Sequence, residues 1–186
     1  MGGVLFGGYH GYMWFDQSYL IGEKVIHQPE TSNQSTKKTK IEHDVGSVVY
    51  PSDLHPKQGQ DFGQLVIPKL NTTLPIIEGA EEEQLAKGVA HVPETVLPGE
   101  PDVTLLSGHR DTVFRRVGEL EKGDKLIINT EMGQFTYQIE DTKIVNADEK
   151  INSIGKPYLI LSTCYPFTYI GPAPQRYLIL AKLHPN

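Results

Sequence analysis

A chain of 186 residues with 38% hydrophobic and 22% charged side chains, 18 glycines and 13 prolines has the make-up of one turn-rich globular domain, neither disordered nor a multi-span membrane protein. Its formal charge of -6 argues against a nucleic-acid partner, because binding to phosphates asks for a basic surface. The one cysteine, Cys164, cannot close an intramolecular disulfide, so it is there either to pack or to react.

In chain order, Met1 to Phe15 carries no formal charge and Asp16 is the first charged residue. That run is shorter than the roughly 20 apolar residues that span a bilayer, and it lacks the basic start of a signal peptide. Residues 1–16 therefore read as the outer end of an N-terminal membrane anchor, the alternative being a flexible Gly- and Tyr-rich tail. Residues 17–44 read as a juxtamembrane segment and linker, of which QPETSNQSTKKTK has the composition of solvated chain. Lys37, Lys38 and Lys40 within it receive no specific role.

From residue 45 to 186 the pattern changes to short apolar runs bounded by Gly, Pro, Asn and Asp, the signature of an all-β domain. Strands are predicted over Gly63 to Pro68, Leu74 to Glu78, Val103 to His109, Asp124 to Thr130, Gly133 to Val145, Tyr158 to Cys164 and Arg176 to Leu183. Seven or eight strands in this span suggest a closed barrel or a sandwich. KLIINT and QFTYQIED should form a hairpin around Glu131, Met132 and Gly133. Short helical stretches are predicted at Glu81 to Lys87, which opens on acidic residues suited to a helix N-terminus, and at Val113 to Leu120.

Cys164 closes the apolar run YLILSTC and is followed by the Pro-rich YPFTYIGPAPQ, so it stands at a strand end beside a loop, where reactive side chains are displayed. A thiol near its ordinary pKa is only a few per cent thiolate at neutral pH and needs a base or cation beside it. Of the seven histidines, His109 alone mirrors the strand-end setting, closing DVTLLSGH, while His10, His27, His43, His55, His91 and His184 fall in tail, loop, turn or terminal contexts. Arg176 opens the final strand, RYLILAKL, after the loop that begins at Cys164. A guanidinium there can hold a carbonyl oxygen and stabilise the oxyanion it becomes. The competing readings are a packed cysteine, a surface histidine and an edge-strand arginine.

GHRDTVF, LSTC with its following loop, and the arginine opening the last strand, in the order His, Cys, Arg, resemble the active-site segments of a sortase. The resemblance covers roughly residues 45 to 183, and LVIPKLNTTLPIIEGAEEEQLAKGVAHVPETVLPGEPDVTLLSGHRD is similar to the class D branch. It implies a closed eight-stranded β-barrel with one or two short helices. It also implies a cysteine transpeptidase on the outer face of the cell membrane that cuts a C-terminal LPxTG or LPxTA sorting signal after its threonine. Cys164 would form the thioacyl enzyme, His109 would shuttle the proton and Arg176 would hold the threonine carbonyl. The partners it implies are secreted proteins bearing the signal and an amino group on a peptidoglycan precursor.

The family motif TLxTC is met here by Ile160, Leu161, Ser162, Thr163 and Cys164, so its first threonine is replaced. Thr163 is expected to shape the substrate pocket. The stretch from Asp141 to Lys156 is expected to wall the groove, with Ile144, Val145, Ile151 and Ile154 touching the signal's leucine and proline or serving as plain core. No Asp-Pro-aromatic lid segment is present, which argues against pilus assembly. No cofactor or metal is expected. Glu81, Glu82 and Glu83 could suggest calcium, but three consecutive carboxylates at a helix start point in different directions and gain from its dipole without a metal. A cysteine peptidase releasing peptides to water and a non-catalytic β-barrel binding module are the alternative functions.

Overall fold

The computed structural model describes residues 48–168 and 173–185, so the anchor and linker expected over 1–44 lie outside them. Eight strands are present: β1 (Asp61–Ile67), β2 (Thr72–Glu78), β3 (Val89–His91), β4 (Val103–Ser107), β5 (Lys125–Thr130), β6 (Gly133–Asn146), β7 (Tyr158–Tyr165) and β8 (Gln175–Leu183). They close into a barrel in the order β1-β2-β3-β4-β7-β8-β6-β5. The pairs β2/β3 and β4/β7 are parallel and the others antiparallel. The all-β, eight-stranded expectation is met.

The pleat explains why β7 is apolar throughout. Leu159 and Leu161 turn into the barrel, where they join Leu65, Leu126, Ile128, Tyr137 and Ile179 in the main core. Tyr158 and Ile160 turn outward, yet they too are buried, with Val103, Leu105 and Leu178 under Val145 and Ile151. A strand covered on both faces loses the alternation of a half-buried one. The isoleucine that departs from the family motif, Ile160, sits in this outer cluster. Burying a side chain of this size is worth about 1.5–3 kcal/mol.

Five points differ from expectation. β3 was not anticipated, because three residues are too few for a periodic signal. His91, placed by the sequence in a loop or turn context, lies on β3, with Nδ1 2.6 Å from Glu78 Oε2 in a buried pair that ties β3 to β2. The helix expected over Glu81 to Lys87 is the single turn α1 (Glu82–Leu85). Val113 to Leu120 forms turns with one 3-10 turn at Val117–Glu119, and its Phe114, Val117 and Leu120 are buried in the main core.

The fifth concerns the groove wall. β6 runs on beside β8 as far as Asn146↔Gln175, so Ile144 and Val145 are strand residues, and the connection to β7 is residues 147–157 rather than Asp141 to Lys156. The hairpin turn is correspondingly short. Thr130 pairs with Gly133, leaving Glu131 and Met132 between the strands, and Gly133 takes φ +122, a value open to glycine.

Candidate active site

At one end of the barrel, β7 and β8 place Cys164 directly opposite Arg176, and β6 adds Val145 as the next member of that row. Paired residues of neighbouring strands point to the same face, so the thiol, the guanidinium and the valine share the outer face. Arg176 is only 6% exposed. Its Nη1 donates to the carbonyls of Ala173 at 3.2 Å and Gln175 at 3.0 Å, so the chain leading into β8 fixes the guanidinium. Cys164 is partly exposed and the chain's only thiol.

His109 reaches this end through β4. The parallel register sets Ser107 opposite Ser162, and Gly108 N–H donates to Ser162 O at 3.1 Å, carrying the pairing one residue further. Thr163 Oγ1 then donates to Gly108 O at 2.7 Å. These two bonds anchor the residue before the histidine to the two residues before the cysteine. After His109 the chain turns sharply, and its carbonyl accepts Phe114 N–H at 3.0 Å. Gly108 is required by close approach, since a Cβ there would stand 2.7 Å from Phe114 Cδ2 and 2.8 Å from Val113 Cγ2. Arg110 Nη1 donates to Pro166 O at 3.1 Å, bracing the loop after Cys164 against the histidine turn.

The residues expected to meet substrate separate by position. Val145 lies in the Cys164–Arg176 row. Ile151, in the connection, packs on the outer cluster, and Ile154 further along is 40% exposed. Ile144 is 47% exposed, but it pairs with Tyr177 in the adjacent row, whose side chains point to the opposite face. Thr163 belongs to that row too; it is buried, and its hydroxyl is committed to Gly108. Beside it Tyr165, Phe167 and Tyr177 pack edge-on and stacked, with ring centroids 5.2–6.2 Å apart.

Glu82 on α1 was singled out only as part of an acidic run, yet its Oε1 lies 3.5 Å from His109 Nε2. Glu83 instead pairs with Lys87 at 2.6 Å. Glu82 and Glu83 thus turn to different partners, and among the described residues no group of three or more His, Cys, Asp or Glu side chains is arranged to hold a metal. A thiol, an imidazole and a held guanidinium gathered at one barrel end are the parts needed for acyl transfer through sulfur.

The family model described as Sortase domain matches residues 65–184. The chain belongs to the sortase family. It is 40% identical over 183 residues to Sortase D of Bacillus subtilis (strain 168), covering 97% of this chain and 92% of that protein. Among solved structures, this sortase is similar to a Clostridium perfringens Sortase D5 transpeptidase, with TM-score 0.64, 25% identity and coverage of 70% of this chain and 83% of that one. It is also similar to the catalytic domain of Bacillus anthracis SrtD, with TM-score 0.61, 41% identity and coverage of 70% and 92%. It is a class D sortase, a cysteine transpeptidase.

Proposed function

We propose that this sortase cleaves a C-terminal sorting signal of the LPxTG or LPxTA kind after its threonine and joins the threonine carbonyl to an amino group of the cell wall. The observation that carries the reading is the pairing of Cys164 with Arg176 across β7 and β8, at the barrel end where Gly108 delivers His109.

His109 takes the Cys164 thiol proton, Sγ attacks the threonine carbonyl carbon, and the charge that develops on the oxygen falls to the Arg176 guanidinium. His109 gives a proton to the departing amine as the C–N bond breaks, leaving a thioester on Cys164. The incoming amine attacks that thioester, His109 takes its proton, and the thiolate leaves as the new amide forms. Atoms and charges balance without a cofactor. Cys164 is the nucleophile because a cysteine transpeptidase needs a thiol and this chain has one.

Val145, Ile151 and Ile154 supply apolar surface for the signal's leucine and proline. Ile144 and Thr163 act from the opposite face, Thr163 by fixing Gly108 and hence His109. An N-terminal membrane anchor would hold the barrel at the outer face of the cell membrane, where secreted substrates and peptidoglycan precursors meet. The reading is tested by incubating the enzyme with an LPxTG and LPxTA peptide library and an amine. A peptide–amine conjugate cut after threonine supports it, and free acid as the sole product supports a peptidase instead.

A further inference from the structure

The connection from β6 to β7, residues 147–157, starts level with the Cys164 end of the barrel and delivers the chain to Tyr158 at the far end of β7, about 20 Å away at 3.3 Å per strand residue. Ile151 anchors it midway on the outer cluster. Its lower part is held by one side chain outside the connection. Asp102, just before β4, accepts Ser153 Oγ at 2.7 Å on Oδ2, and Ile154 N–H at 2.8 Å and Gly155 N–H at 3.4 Å on Oδ1. Val103 N–H at 2.8 Å completes the set. Gly155 takes φ +69, a conformation that glycine adopts freely where the chain turns beside the carboxylate.

We propose that Asp102 is a positioning residue for substrate: its carboxylate latches residues 153–155 to the start of β4 and so sets how the connection lies over the outer faces of β4 and β7. This rests on the reading that the sorting signal binds on that face. Three consecutive residues donate to one carboxylate, and charge-assisted bonds of this kind are about twice as strong as neutral ones. The latch satisfies the polar groups of the connection while leaving the Ile154 side chain turned out to solvent. Ile151 precedes the latched residues by two positions, so the latch bears on where that side chain lies on the outer cluster. Asp102 touches neither Cys164 nor the reacting carbonyl, and its effect falls on binding rather than on chemistry.

The test compares wild type, Asp102→Ala and Ser153→Ala, each as the full chain, on a signal peptide the wild type cleaves. Expected for Asp102→Ala are a KM raised fivefold or more, kcat within twofold, unchanged alkylation of Cys164 by iodoacetamide, and amide exchange at Ile154 and Gly155 at least tenfold faster. Ser153→Ala loses a single exposed hydrogen bond, serves as the milder variant should Asp102→Ala not fold, and raises KM about twofold. Faster exchange with KM unchanged in a cleaving enzyme overturns the positioning role alone. Parallel losses in kcat and in alkylation also overturn it, by showing a general structural role. A wild type that cleaves none of the peptides overturns the signal reading, and with it the latch's part in binding.

Discussion

Cys164 on β7 and Arg176 on β8 are register partners, so the backbone ladder itself sets the thiol against the guanidinium. Eleven residues of chain lie between them, yet their relation does not depend on the path that loop takes. Arg176→Ala should therefore leave the barrel folded and cut kcat by about 10² to 10³, the range for removing an oxyanion donor. Arg176→Lys should recover little of this, because an ammonium lacks the planar fork. Steady-state kinetics on both variants checks it; a loss below tenfold in Arg176→Ala would show that the oxyanion is held elsewhere.

Gly108 has no room for a methyl group, since Phe114 and Val113 fill the space. Gly108→Ala should cost about 1–3 kcal/mol through overpacking and move His109 off its position, lowering both Tm and kcat. Thr163→Val keeps the shape but leaves Gly108 O without its hydroxyl donor, a loss of about 1–3 kcal/mol. Thermal unfolding measured with cleavage rates should show the two losses together in each variant.

The Asp102 carboxyl is pushed up by burial, but the bonds from Ser153, Ile154, Val103 and Gly155 outweigh that and hold it below its ordinary value of 3.8. A folded pKa below the unfolded one means stability that is fully present above the unfolded value and is lost as pH falls through the folded one. The Tm gap between wild type and Asp102→Ala should thus be constant above about pH 5 and shrink below about pH 4. A gap that persists undiminished at pH 2 would contradict the direction.

Glu82 is 74% exposed by side chain and 3.5 Å from His109, so the pair is screened and weak. Glu82→Gln should lower kcat/KM by no more than about fivefold, the rate equivalent of ~1 kcal/mol, and the difference should fade as salt rises. A hundredfold loss would mark Glu82 as far more than a neighbour of the imidazole.

We also expect turnover that needs no metal, since Glu82 and Glu83 are turned to His109 and Lys87 rather than to a shared centre. Rates measured after EDTA and after added millimolar calcium should agree. A several-fold gain with calcium would point to an ion site.

The sequence made β7 legible because YLILSTC is apolar on both faces and ends abruptly at a Pro-rich loop. The place of His109 near the end of β4 was also readable, although the strand expected to run to His109 stops at Ser107 and Gly108 breaks it. β3 was not, because three residues carry no period and His91 depends on Glu78 thirteen positions away. The end of β6 was legible to within one residue, Val145 against Asn146, but the start of the groove wall was misjudged, since Asp141 to Val145 pair with β8 rather than entering the connection. Asp102 was invisible for the same reason: its donors Ser153, Ile154 and Gly155 lie 51 to 53 residues further on, and nothing near Asp102 in the chain announces them.

The most direct test is to trap the acyl enzyme. Wild-type protein mixed with a cleavable signal peptide and quenched in acid should gain the mass of the peptide up to its threonine. Fragmentation should place that mass on Cys164 as a thioester released by hydroxylamine, and Cys164→Ala should gain nothing and turn over nothing. An adduct on any other residue, or cleavage that survives in Cys164→Ala, would contradict the account.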